Sequence, residues 1–127
     1  MHPQNQTALD ERLKRTDLNI GVLSDSHGSL SLEGLEILRC CDLIVHAGDI
    51  DTPQLLEKLQ SIAPVSAVRG NMDRGGWARE LPSQQTLISG VLAIHVLHDL
   101  QALDLEPGAA GIRLVISGHT HLPLFQR

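Results

Sequence analysis

Tyrosine is absent from this 127-residue chain, and Trp77 and Phe125 are its only large aromatics. The core is therefore expected to be aliphatic, and a surface that stacks successive bases has no platform to use. Cysteine is nearly as scarce. Cys40 and Cys41 are adjacent, a poor geometry for bridging each other, and neither has a CxxC-type partner, so a disulfide framework and a thiolate zinc site are not expected. Basic clusters are missing too: ten Lys/Arg against fifteen Asp/Glu leave a formal charge of −5, with the cations scattered. That argues against a duplex-binding surface built on phosphate neutralisation, and no stable nucleic-acid binding is expected. No apolar run approaches the roughly 20 residues of a membrane span, and Met1 to Asp17 has no apolar signal core. A soluble cytoplasmic protein with no membrane partner is the expectation.

Hydrophobic residues make up 42% of the chain and charged residues 20%, which at this length describes one globular domain. Residues 1–18 hold few apolar positions and read as a polar N-terminal arm, either loose or a short surface helix. From Asn19 onward, short aliphatic runs alternate with helical periodicity: Ile20 to Leu23, then Leu32, Leu35 and Leu38; Leu43 to Val45, then Leu55, Leu56, Leu59 and Ile62; then Val65 to Val68. This β-α-β-α-β order predicts parallel strands joined by right-handed crossovers. Asp51-Thr52-Pro53 offers an N-cap followed by proline at the first helical position, fixing the second helix start near Pro53. Beyond Arg74, the Gly75-Gly76 pair and Pro82 lead to Thr86–Ser89 and Val91–Leu97, which read as a hairpin; Leu114 to Ser117 is a last strand.

Chemistry-bearing side chains recur at one kind of place. Asp25 and His27 follow the first strand, Asp49 the second, Asn71 the third, His98 the hairpin's second strand, and His119 with His121 the last. Ligands in α/β sheets gather at the carboxyl ends of strands, where loops from several strands converge. Each of Asp25/His27 and His119/His121 is spaced i, i+2, which in extended chain puts both side chains on one side. Taken singly, Gly48-Asp49 and Gly70-Asn71 are ordinary turn dipeptides. Together they supply carboxylate, imidazole and amide ligands without thiolate, a set suited to manganese, iron, zinc or cobalt. Seven such groups are too many for one tetrahedral ion and about right for two ions sharing a carboxylate.

The blocks Ser24-Asp25-Ser26-His27-Gly28, His46-Ala47-Gly48-Asp49, Gly70-Asn71-Met72-Asp73, a strand ending in His98, and Gly118-His119-Thr120-His121 resemble the ordered signature of the calcineurin-like metallophosphoesterases. Within that family the chain is most similar to the small single-domain phosphodiesterase branch, over Asn19 to the C-terminus, making residues 19–127 the domain. The resemblance implies an α/β fold of the αββα-sandwich type. It also implies two divalent metal ions, manganese first, with zinc, iron, cobalt or nickel as alternatives. Asp25, His27 and His121 would hold one ion, Asn71, His98 and His119 the other, and Asp49 would bridge them. The implied reaction is hydrolysis of a small phosphodiester or nucleotide-like substrate by a hydroxide bridging the two metals, with Asp49, Asn71 and Asp73 as the catalytic group. Arg74, next to the Asn71 loop, is a candidate phosphate contact.

Three features depart from the family. Met72 stands where many members place a histidine able to protonate the leaving group, so substrates with good leaving groups are expected to react best. Asp99 follows His98 where glycine is usual. The chain ends six residues after His121, at Arg127, while relatives continue through several more strands. The expectation is a C-terminally truncated domain, with self-association through an exposed sheet edge. His95 and His46 are expected to be structural rather than ligating. The competing readings are a non-catalytic scaffold, as in a retromer subunit of the same fold, and an inactive truncated remnant. No GxGxxG, GxxxxGK[ST] or GxSxG motif is present to support another enzyme class.

Overall fold

The computed structural model describes residues 3–15, 17–24, 30–71, 73–89, 92–99, 112, 114–118 and 125–126. Asp25, His27, Met72, His119 and His121, and the glycine-rich stretch 100–111, lie outside the described residues. Helix α1 (Pro3–Leu13) precedes β1 (Ile20–Leu23), α2 (Leu32–Arg39), β2 (Leu43–His46), α3 (Pro53–Ile62) and β3 (Val65–Ala67). Then come α4 (Gly76–Arg79), β4 (Gln84–Ser89), β5 (Leu92–Leu97), β6 (Leu114–Ser117) and β7 (Phe125–Gln126). Strands β1, β2 and β3 form a parallel sheet in that order, and β4 to β7 form a second sheet in sequence order. In the second sheet β4–β5 is the expected antiparallel hairpin, β5–β6 is parallel and β6–β7 antiparallel.

Local signals set the helices. Ser31 caps α2, its hydroxyl accepting from the N–H of Gly34 at 3.0 Å, and Glu33 and Arg39 sit at the ends that suit the helix dipole. Thr52 caps α3 by accepting from the N–H of Leu55, with Pro53 following, as the sequence predicts. Alternation along β2 separates two cores. Ile44 packs with Leu38, Leu55, Leu56 and Leu59 on the helix side, while Leu43 and Val45 pack with Leu87, Ile94, Val96 and Ile116 between the sheets. Helix, sheet and sheet are thus stacked in layers, the α/β architecture expected from the sequence. No helix among the described residues is long and apolar enough to cross a membrane.

Two elements differ from a plain reading of the sequence. Of the two expectations for residues 1–18, the helix is the one that forms, and it is docked. Leu9 is fully buried in the inter-sheet core. The Asn5 amide donates to the carbonyl of Val65 at 2.8 Å and accepts its N–H at 2.7 Å, pairing with the edge of β3 as a strand would. The second element, α4, begins at the Gly75-Gly76 pair, which reads as loop. Burial of Ala78, with Trp77 packed on the helix-side core, holds that turn despite the glycines.

Candidate metal centre

Parallel register brings the strand ends to one rim. Leu23 pairs with His46 and His46 with Ala67. The ladder continues one residue further, Ala47 N donating to the carbonyl of Leu23 at 2.9 Å and Val68 N to that of His46 at 3.0 Å. The loop leaving β2 then turns sharply: Gly48 (φ 103°), Asp49 (φ 62°) and Asp51 (φ 76°) all lie in the left-handed region. For a residue with a side chain that region costs about 1–2 kcal/mol, somewhat less for aspartate, so two such residues in one loop require compensating contacts.

Glycines let the key side chains meet. A Cβ on Gly48 would run into the imidazole of His98, and one on Gly70 would strike both the carboxylate and the backbone nitrogen of Asp49. With those atoms absent, Asp49 (4% exposed) and His98 (5% exposed) are buried side by side. Nε2 of His98 lies 3.3 Å from Oδ2 of Asp49.

The tautomer of His98 follows from its other nitrogen. Nδ1 is 2.8 Å from the carbonyl of Ala47, which can only accept, so Nδ1 carries the proton and donates. In the neutral ring Nε2 is then a bare lone pair aimed at a carboxylate. Asn71 completes the group. With its amide oriented to match both neighbours, its nitrogen donates to Nε2 of His98 at 3.0 Å and to Oδ1 and Oδ2 of Asp49 at 3.2 and 3.3 Å. Three acceptor atoms from two strand ends therefore converge on one electropositive point. That donor set fits a cation of borderline hardness, which N and O ligands suit. Among the described residues no three His, Cys, Asp or Glu side chains form a metal-binding group, and the described part of the centre is Asp49 and His98 with the Asn71 amide.

The remaining candidates are placed as follows. The carboxylate of Asp73, 6% exposed, accepts from the backbone N–H groups of Asp49 (3.0 Å), Asp51 (2.8 Å) and Gly70 (2.9 Å). Arg74 is exposed. Asp99 is half-buried and lines a hollow of about 280 Å³ with Arg69, Ser83 and Gln84 beside Asn71 and His98. His46 is fully buried, its Nδ1 accepting from the N–H of Gly48 at 3.1 Å. His95 sits on the face of β5 away from His98, 2.8 Å from both Thr86 Oγ1 and Gln84 Oε1. Burial, then the neighbouring Cys40 and Asp42, push the Cys41 thiol up, so it is no reactive thiolate.

Sequence reasoning had no means of finding the Ala47 carbonyl that orients His98, because a backbone atom leaves no residue-type signal. The closeness of Gly48 and Gly70 was legible only as turn propensity. A Gly directly before each ligand, in both Gly48-Asp49 and Gly70-Asn71, was the signal available.

The family described as "Calcineurin-like phosphoesterase superfamily domain" matches residues 18–127. A probable metallophosphoesterase of Methanothermobacter thermautotrophicus is 34% identical over 122 residues, covering 84% of this chain and 69% of that protein. Among solved structures, a phosphoesterase from E. coli is 24% identical with a TM-score of 0.63, covering 84% of this chain and 72% of the other. Chaetomium thermophilum Vps29 is 21% identical with a TM-score of 0.69, covering 84% of this chain and 64% of the other. The chain thus spans a little under two thirds of the Vps29 structure it resembles.

Proposed function

The chain belongs to the calcineurin-like phosphoesterase superfamily, and from that premise we propose that it is a metal-dependent phosphoesterase acting on phosphodiesters, with Asp49, Asn71 and His98 as described ligands. The observation that carries the reading is the convergence of Nε2 of His98 and both oxygens of Asp49 on the Asn71 amide nitrogen. By the family pattern Asp25, His27, His119 and His121 would complete the set, with Asp49 shared between two divalent ions, manganese first. Bound there, such ions would neutralise charge on the phosphate oxygens and lower the pKa of the attacking water.

The chain's own groups do the rest. Ala47 holds His98 with Nδ1 as the donor, so that in the neutral ring Nε2 presents the lone pair. Burial of Asp49 and His98 excludes bulk water from their side of the centre and strengthens every charge interaction there. Asn71 is exposed at the rim, where an incoming phosphate would approach. Arg74, exposed on the same loop, is proposed to contact a phosphate oxygen as the ester docks.

The test is hydrolysis of bis(p-nitrophenyl) phosphate by the purified chain with Mn²⁺, with chelator, and with Asp49→Ala. Activity that requires metal and is lost in Asp49→Ala is the expected result. A folded, monodisperse wild type with no metal-dependent activity contradicts the proposal and favours the scaffold reading.

A further inference from the structure

We infer that Asp73 is a positioning residue which holds the Asp49 and Asn71 loops in ligand geometry through their backbones; the inference rests on the metal-centre reading above. One carboxylate joins the loop after β2 to the loop after β3. Its Oδ2 accepts from the N–H of Asp49 at 3.0 Å and of Gly70 at 2.9 Å, and its Oδ1 accepts from the N–H of Asp51 at 2.8 Å. The N–H of Asp73 itself donates to the carbonyl of Gly70 at 3.2 Å, closing the turn that carries Asn71.

The partners of this carboxylate are informative. The only non-glycine residues with positive φ among those described are Asp49 and Asp51, and both donate their N–H to Asp73. The left-handed turn that aims the Asp49 side chain at His98 is thus the turn that presents two amides to one acceptor. Gly70, the third donor, is the residue whose missing Cβ leaves room for the Asp49 carboxylate. Asp73 is 6% exposed, so bulk water has little access to replace it, and an unmet N–H there would be costly. Only an acceptor with two oxygens and no donor satisfies all three amides at once. Asparagine, isosteric with aspartate, cannot: with its oxygen in the Oδ2 position, its NH₂ faces the N–H of Asp51. Alanine loses all three bonds. Asp73 therefore acts through the loops that carry Asp49 and Asn71.

The experiment is Mn²⁺ binding to the full chain by titration calorimetry, with metal-free melting temperature measured alongside. Loss of an orienting partner of a metal ligand weakens affinity by about 10–100-fold. Asp73→Asn, losing one amide contact, is expected near about 10-fold, and Asp73→Ala near about 100-fold. Leu9→Ala is the stability control: it removes packing in the inter-sheet core, so it should lower the metal-free melting temperature while leaving Mn²⁺ affinity within a few-fold of wild type. A general loss of stability would weaken binding in both variants alike. Should Asp73→Asn stay folded and bind Mn²⁺ as wild type does, while Asp49→Ala does not bind, the positioning role is wrong and the metal centre stands. Leu9→Ala losing as much affinity as Asp73→Asn also overturns it. A wild type that takes up no Mn²⁺ removes the metal centre and this role together.

Discussion

Nε2 of His98 faces Oδ2 of Asp49 at 3.3 Å in a buried setting, and with the ring neutral both are acceptor atoms. Such an arrangement is repulsive unless something electropositive lies between or beside them. The Asn71 amide nitrogen fills that role, within 3.3 Å of both oxygens and the ring nitrogen. Each group comes from a different strand end, so the centre is a property of sheet register as much as of residue type.

The close approach of Asp49 to Gly70 makes a substitution at a residue that is not itself a ligand damaging. A Cβ at 70 meets the Asp49 carboxylate and backbone nitrogen, and the backbone atom cannot swing away. Gly70→Ala is expected to lower stability by about 1–3 kcal/mol in urea denaturation. It should also abolish Mn²⁺-dependent hydrolysis. Metal-dependent turnover equal to wild type would show that the approach is not needed.

Met72 offers no proton to a departing alkoxide. Rates with aryl and alkyl phosphodiesters should therefore fall steeply as leaving-group pKa rises. A flat dependence across such a series would point to a proton donor elsewhere in the chain.

Helix α1 is expected to be part of the folding unit. Leu9→Ala should cost about 2–5 kcal/mol, as for a large aliphatic side chain cut back in a packed core. Asn5→Ala should cost about 1–3 kcal/mol by stranding the N–H and carbonyl of Val65. Chemical denaturation measures both. Values near zero would mean that α1 lies on the surface without contributing.

Asp42 ties the start of β1 to the turn before β2. The backbone N–H of Asn19 holds its carboxyl below the usual carboxylate range against the opposing effect of burial, helped by Arg15 and Arg12. A carboxyl whose folded pKa is depressed stabilises the fold above its unfolded value, about 3.9, and loses that contribution as pH falls through the folded value. Asp42→Asn should therefore melt below wild type at pH 7, with the difference shrinking once pH drops below about 4. A gap that is constant from pH 7 to pH 2 would contradict the assignment.

Much of this was legible in the residues. Aliphatic runs such as Leu43–Val45 and the spacing of Leu55, Leu56 and Leu59 carry periods of 2 and 3.6 that only strands and helices satisfy. Thr52-Pro53 marks a helix start by its own chemistry. Asp49, Asn71 and His98 were expected to meet because each follows a strand; parallel register brings the ends of β2 and β3 together, and His98 reaches Asp49 and Asn71 from the second sheet. Helix α1 was harder to read, since a single fully buried residue, Leu9, has no period and Asn5 looks like any polar surface residue. Asp73 was read as one of the catalytic group. Its bonds run to backbone amides brought near by the left-handed turn at Asp49 and Asp51, a conformation that no residue type there announces. Asp25, His27, His119 and His121 lie outside the described residues, and their place in the centre rests on the family pattern.

The most direct measurement is an anomalous difference map at the manganese edge from crystals grown with Mn²⁺. The account predicts a peak bonded to Nε2 of His98, an oxygen of Asp49 and the Asn71 side chain, with the Asn71 amide turned to offer its oxygen. A map without a peak there, and with the Asn71 nitrogen still bridging Asp49 and His98, would contradict it.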